Sequence, residues 1–510
     1  MNSLYLILLI FFIHSMILSY LAFQKKKSSM KIANEMGIGY NLANLFDSYN
    51  KTKNITNPDE QITLYENEIP TKEMIRNIKK SGFKTIRFPV TWANFIDDAG
   101  NVDLIWMNRV KEVVNWIIES KMYCILNVHH DSDIGNWILE GKNSKNKFIN
   151  LWKQIAETFQ KFDEHLIFES MNEIKYNDNF DDEILFSLNQ AFVDTIRNLS
   201  GLNYDRLLLI SGATKNLDLN FPSPFKIPED PANKLGISLH YYFPLEFSIE
   251  PIDNPWRIVD DQGVSYDIKP KKSWGTESDY SELLKNFENI KESYTNKGIV
   301  VILSEISVAT NLKKEEKSIV EYLHAIFTFA KDYDGIVPCL WDTSNQNTGD
   351  MNYFNRGKNQ WYNEKIKENF INISKGKYIK PSNYFFNTTF ETTYSDKRDD
   401  FFMIINYKER TVLNIVVNAD VVKDYISVIY FYIVTSDKKG NYVLFKIDGI
   451  NGKKQYDGSY NYYFDASNTE FNYYVRIQIF SNLYINLNYL TVEFQESFTS
   501  FDYKSYKETL

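Results

Sequence analysis

Leu166-Ile167-Phe168-Glu169-Ser170-Met171-Asn172-Glu173 is the stretch on which the fold turns. It is short, mostly apolar and poorly alternating, which is the pattern of a strand covered on both faces. It ends in an amide and a carboxylic acid. A parallel strand that carries polar groups to its C-terminal end is the unit from which (β/α)8 barrels build their reactive face. A second run of the same kind, Val300-Val301-Ile302-Leu303-Ser304-Glu305, also closes on an acid.

Outward from these two runs, buried strands are expected at 36–41, 85–89, 123–129, 166–173, 207–211, 235–240, 300–305 and 335–341. Amphipathic helices fall between them. The first opens near Pro70-Thr71-Lys72-Glu73, with Thr71 as its cap. Others are expected at 105–120, 147–160, 183–199, 279–296, 313–332 and 360–370; in the first of these Val110, Val113, Val114, Ile117 and Ile118 recur at helical spacing. The unit after the fifth strand is the least regular. Eight alternations of strand and helix predict a parallel sheet that closes on itself, so the fold class is α/β, a (β/α)8 TIM barrel at 31–375.

From about residue 381 the helical periodicity stops. Short runs rich in Tyr, Phe, Val and Ile follow at 401–405, 411–417, 426–434, 442–447, 473–480 and 490–494, with turn signals at Lys439-Gly440-Asn441 and Asn451-Gly452. A smaller all-β, sandwich-like domain is expected at 381–510. Its aromatics suit either a carbohydrate-binding strip or packing within the sheets.

The other end of the chain is apolar from residue 4 to 23, broken only by His14, Ser15 and Ser19. A run of about 20 apolar residues is long enough to cross a bilayer. Residues 1–30 therefore read as a signal peptide or membrane anchor, and the body as secreted or held at the cell surface. Lys25-Lys26-Lys27 flanks the run on its C-terminal side, which by the positive-inside rule argues the opposite orientation.

The net charge of −9, with the signs mixed along the chain, excludes a nucleic-acid partner, because phosphate binding needs a basic face. Aromatic residues are abundant (35 Tyr, 36 Phe, 9 Trp), enough to supply stacking platforms as well as core. The two cysteines, Cys124 and Cys339, lie in apolar runs and read as buried free thiols. No Cys/His group has zinc-like spacing. A monomer is expected.

Arg87, His129, Asn172, Glu173, His240, Tyr242, Glu305 and Trp341 all fall where barrel strands end, and in a barrel those ends converge. Two carboxyl groups in one cleft suit glycosidic-bond chemistry. One must be protonated to donate to the leaving oxygen, and the other ionised to attack the anomeric carbon. Two close acids cannot both ionise easily, so one pKa should rise while Arg87 keeps the other group charged. Such chemistry takes a polysaccharide as partner and calls for no metal or organic cofactor.

The chain resembles the cellulases of glycoside hydrolase family 5, in the branch of endoglucanases, xyloglucanases and mixed-linkage glucanases. The resemblance rests on Gly39-Tyr40-Asn41-Leu42-Ala43-Asn44, Ile86-Arg87-Phe88-Pro89-Val90-Thr91-Trp92, Asn127-Val128-His129-His130-Asp131, Phe168-Glu169-Ser170-Met171-Asn172-Glu173, Leu239-His240-Tyr241-Tyr242, Trp274-Gly275-Thr276 and Leu340-Trp341-Asp342, and spans about residues 36–372. It implies a retaining mechanism with Glu173 as acid/base and Glu305 as nucleophile. It further implies that Asn172 bonds the sugar 2-hydroxyl and that Arg87 and Tyr242 orient the nucleophile. His129 and His240 would line the subsite beside the scissile bond, and Trp341 would be its sugar platform. His130, Trp137 and Asn41 are further site candidates, and Trp92 and Trp274 serve either packing or sugar contact.

Five departures from the family pattern stand beside these residues. Ile174 follows Glu173 where the family has Pro, Ser304 and Ile306 flank Glu305 where it has Gly and an aromatic, and Ala43 and Leu45 replace Gly and Thr. A misplacement of about 1 Å costs on the order of 100-fold in rate. The alternative readings are therefore a catalytically weak or inactive carbohydrate-binding protein on the same frame, or an endo-mannanase or xylanase.

Overall fold

The computed structural model describes residues 27–378, apart from 51, 53–54, 134–136, 140–142, 175–181, 213–225, 250–255, 260–264, 269–270, 311–313 and 345–350, and beyond them strand backbones between 411 and 496. The central feature is a closed parallel barrel. Its strands are β1 (Gly39–Asn41), β2 (Thr85–Phe88), β3 (Tyr123–Asn127), β4 (Leu166–Glu169), β5 (Leu208–Ser211), β6 (Leu235–Tyr241), β7 (Val300–Ile306) and β8 (Ile336–Leu340), each hydrogen-bonded to its neighbours in chain order, with β8 closing on β1. These strands are buried along their whole length, which is why their sequences run apolar instead of alternating.

The barrel interior is sorted along its axis. Towards the N-terminal ends, Tyr123, Ile125, Ile167, Leu209, Val300, Ile302 and Val337 form one apolar cluster. The helix Ser29–Met36 adds Ile32, Ala33 and Met36 to that cluster and plugs this mouth; the sequence reading did not anticipate it. Towards the C-terminal ends the inward positions turn polar, with Asn41 opposite Arg87 and Asn127 opposite Glu169. This sorting makes one end of the barrel a packed core and the other a reactive floor.

The expected helices are present after seven of the eight strands, as Lys72–Lys80, Leu104–Glu119, Ser144–Thr158, Asp182–Arg197, Glu277–Ser293, Glu316–Asp332 and Glu364–Ser374. Thr71 caps the first of them, its hydroxyl accepting from the Met74 amide. No helix joins β5 to β6 among the described residues, in keeping with the irregular sequence there. The helix expected at 360–370 is corrected: Gln360–Trp361 pairs antiparallel with Phe354–Asn355, and the helix begins only at Glu364. Asn363 sets that start by accepting from the Lys365 and Ile366 amides. Both cysteines are free and buried, and burial pushes their thiols up.

The described strands after residue 410 form two antiparallel sheets. One has the order Lys453–Lys454, Tyr460–Asp465, Thr411–Val421, Ile485–Glu496; the other has Tyr442–Ile447, Tyr430–Ser436, Val475–Phe480. The strand expected at 401–405 and the apolar run at 4–23 lie outside the described residues.

Candidate active site

Arg87 organises the reactive floor. It is wholly buried at the end of β2, and its guanidinium touches four partners. Nη1 donates to Glu305 Oε1 at 2.7 Å and to Asn41 Oδ1 at 3.1 Å. Nε and Nη2 donate to the two oxygens of Glu169, each at 2.7 Å, and Nη2 also reaches Asn172 Oδ1 at 2.8 Å. Burial disfavours the cation, but the charges and hydrogen bonds of Glu169 and Glu305 outweigh it and hold the group more firmly protonated than usual.

Glu169 is a functional residue that sequence reasoning missed. The strand was expected to run to Glu173, but β4 ends at Glu169, and Ser170 and Met171 carry the chain round to Asn172 and Glu173. Glu169 therefore points into the barrel as the fork-to-fork partner of Arg87. The available signal was an acid inside an apolar strand, since such a group is rarely buried without a partner.

Glu305 is placed by a β-bulge. Leu239 pairs with Leu303, but the next residue, His240, pairs with Glu305, so Ser304 is the extra residue on β7. Simple alternation from the inward Ile302 would turn Glu305 away from the barrel interior; the inserted residue turns it back. Asn41 Nδ2 donates to the Ser304 carbonyl at 2.7 Å, and the Ser238 hydroxyl donates to that of Ser304 at 2.7 Å, fixing the bulge from both sides. Serine in place of the usual glycine is thus accommodated, fully buried and hydrogen-bonded. Tyr242 Oη donates to Glu305 Oε2 at 2.9 Å, so both carboxylate oxygens are held.

His240 links the two acids. Its Nδ1 lies 2.8 Å from Glu173 Oε1 and its Nε2 3.4 Å from Glu305 Oε1. Burial of Glu173 favours its neutral form, but the hydrogen bond and charge of His240, with the charges of His130 and Arg87, outweigh it and hold the carboxyl below its usual value. Burial lowers His240 in turn, while the charge of Glu305 and the hydrogen bond to Glu173 more than restore it and leave it raised. The expectation that one of the two acids is raised by its neighbour is not what this arrangement gives Glu173, because a histidine stands between the carboxylates.

His129 is the uncharged member of the group. Burial, and then the positive charges of His130, Arg87 and His240, push it well below its usual value. The Asn127 amide donates to its Nδ1 at 3.1 Å, which leaves Nε2–H as a donor. Its ring stacks on Trp341 with centroids 5.7 Å apart and planes 10° from parallel. Trp341 is partly exposed, as a sugar platform must be.

The remaining candidates separate. Asn41 belongs to the floor through Arg87 and the bulge. His130 packs edge-on against His129, with its Nδ1 2.9 Å from Asp133. Trp137 donates to Asp131, not to the carboxylate pair, and Asp131 is pushed up to about 7 by burial. Trp92 is fully buried, its indole donating to the Asn127 carbonyl, and Trp274 is also buried, so both are packing residues. Among the described residues three donor sets come close enough to hold a cation: Glu173 with His240 and Glu305, Asp47 with His129 and His130, and Asp163 with Glu164 and His165.

The ligand-type atoms of Glu173, His240 and Glu305 all lie within 4.8 Å of one another. A carboxyl separation of about 5–5.5 Å marks retaining glycosidases, and inverting ones need about 6.5–9.5 Å to admit a water. A close acid pair at the C-terminal mouth of a (β/α)8 barrel, one member fixed by arginine and tyrosine, defines a glycoside hydrolase of the retaining kind. The chain belongs to the cellulase family, glycosyl hydrolase family 5, whose family model matches residues 46–347. It is similar to a GH5-4 broad-specificity endoglucanase from an uncultured bovine rumen ciliate, at 52% identity and a TM-score of 0.65 over 69% of this chain and 99% of that one. Endoglucanase A of Paenibacillus barcinonensis is 32% identical over 68% of this chain and 89% of its own. Endoglucanase A of Clostridium longisporum is 30% identical over 68% of this chain, which spans 66% of that enzyme's length.

Proposed function

We propose that the protein is an endo-acting β-1,4-glucanase in which Glu305 is the nucleophile and Glu173 the acid/base. The observation that carries this reading is the closeness of the two acids, with ligand-type oxygens within 4.8 Å. Arg87 and Tyr242 hold both oxygens of Glu305, which keeps it aimed. Its oxygen attacks the anomeric carbon, the glycosidic C–O bond breaks, and the departing oxygen takes a proton from Glu173. A water then gives its proton to Glu173 and its oxygen to the anomeric carbon, releasing Glu305. Asn172, fixed by Arg87, donates to the sugar 2-hydroxyl; Trp341 carries the sugar face. Glu173 rests as a carboxylate beside protonated His240, so the pair stores the one proton the first step consumes.

The residues that depart from the family pattern do not favour an inactive frame, because Ile174, Ser304 and Ile306 are all buried and the acids keep their partners. Release of reducing sugar from soluble β-glucan, carboxymethylcellulose, xyloglucan and mannan tests the reading. Glu173→Gln and Glu305→Gln should each abolish it. Binding of β-glucan by folded protein without any release would overturn it.

Residues 4–23 are long and apolar enough for export, which supports an extracellular site of action, by secretion or by an N-terminal anchor. The two antiparallel sheets after residue 410 suit a sandwich-like domain that assists the barrel. Detection of the chain in culture medium or on the outer cell surface, against the cytosol, decides the first point.

A further inference from the structure

The two acids are held by different means. Glu305 lies within β7, which is hydrogen-bonded to β6 and β8, and both its carboxylate oxygens have partners. Glu173 lies beyond the end of β4, outside the ladder of the barrel. Its side chain is 33% exposed, against 7% for Glu305, and His240 reaches only one of its oxygens. Ile174 follows it where the family has proline, so Glu173 escapes the restriction to extended backbone that proline imposes on the residue before it. The torsion that aims this acid has to be set from elsewhere.

The turn after β3 sets it. Ser132 is buried, and its hydroxyl donates to the Glu173 carbonyl at 3.0 Å. A peptide unit moves as one plane, so holding that carbonyl fixes ψ of Glu173 and, with it, the direction of the side chain on its Cα. One residue earlier the Asn172 amide donates to the Val128 carbonyl at 2.8 Å, so the acid is tied twice to the segment at the end of β3. The turn His130–Ser132 is itself anchored. The Asp133 amide closes it on the His130 carbonyl at 2.9 Å. The buried carboxyl group of Asp131 accepts from the Trp92 amide and the Trp137 indole, each at 3.1 Å.

We infer that Ser132 is a positioning residue for the acid/base: by clamping the Glu173 carbonyl it aims the carboxyl group at the leaving oxygen. The inference rests on the glucanase reading and deepens it. Ser132 acts through Glu173 and not on the sugar, so its contribution is confined to steps in which Glu173 moves a proton. A buried serine that only filled space would affect every substrate alike.

The test compares Ser132→Ala with the parent chain on aryl β-cellobiosides whose leaving groups run from dinitrophenol, which departs without a proton, to phenol, which needs one. In the variant, kcat/KM on the phenyl substrate divided by that on the dinitrophenyl substrate should fall about ten- to hundredfold. The quotient cancels the concentration of active enzyme, so partial unfolding cannot imitate the effect. On the dinitrophenyl substrate kcat/KM should hold while kcat falls, with a burst of dinitrophenol, because Glu173 also activates the water that releases the glycosyl-enzyme. Ser132→Cys, close in size but a weaker donor, should lie between parent and alanine variant, and it replaces the latter if that chain does not fold. An unchanged quotient overturns the role of Ser132 and leaves the glucanase reading standing. A parent that cleaves neither the cellobiosides nor β-glucan overturns the glucanase reading, and the inference with it.

Discussion

His240 Nδ1 and Glu173 Oε1 lie 2.8 Å apart, so the acid that must give up a proton is paired with the base that can return it. Their titrations are coupled, and pH profiles report the pair. Glu173 is held low, so its contribution to stability is present above the unfolded value of about 4.3 and lost as pH falls through the lowered folded value. His240 is held high, so its contribution is complete below about 6.5 and lost as pH rises through the raised folded value. His240→Asn should therefore lower the melting temperature most between about pH 4.3 and 6.5. Without the imidazole, Glu173 must hold the proton alone, and the alkaline limb of kcat/KM should move to lower pH. A limb that stays in place would rule out proton storage by the pair.

Glu169→Ala removes the bidentate partner of a fully buried arginine. Breaking such a pair costs about 3–5 kcal/mol, because the remaining charge is left uncompensated. The loss should appear as a lower urea midpoint. Activity should fall too, since Arg87 would then be free to swing towards Glu305 and away from Asn172. Full activity at parental stability would show that Glu169 is dispensable.

How far the sequence exposed this site follows from where each residue gets its partner. Arg87, His240, Tyr242, Glu305 and Trp341 were legible because strand ends in a barrel converge, whatever lies between them. Glu169 was not, because β4 stops four residues before Glu173 and the turn carrying Ser170 and Met171 has no local signature. The direction of the Glu173 shift was also hidden: it depends on a histidine 67 residues away reaching one oxygen. The helix Ser29–Met36 escaped because it adjoins the apolar run at 4–23 in sequence and packs on strands that come much later.

Glu173→Gln tests the division of labour between the acids. A general acid contributes about 10²–10⁴-fold, and most where the leaving group is poor. The variant should lose about that factor on β-glucan and much less on an aryl glycoside whose leaving group needs no proton. Glu305→Gln should lose activity on both, because attack precedes every later step. Equal losses from Glu173→Gln on the two substrates would remove it from the acid role.

The bulge at Ser304 makes a prediction that depends on two hydroxyls acting as one unit. Ser238 Oγ donates to Ser304 Oγ at 2.7 Å, and Ser304 Oγ donates onward to the Leu239 carbonyl at 3.1 Å. Both serines are buried, so either alanine change strands a polar atom at a cost of about 1–3 kcal/mol. Changing both removes the stranded atom, so the double variant should be less destabilised than the sum of the singles by about 0.5–1.5 kcal/mol. Ser304→Gly adds backbone freedom at the residue before Glu305, and kcat should fall more than KM rises, because the nucleophile is loosened while the sugar platforms stay in place. Additive stabilities, or a change in KM alone, would show that Ser304 fills space in the bulge without aiming Glu305.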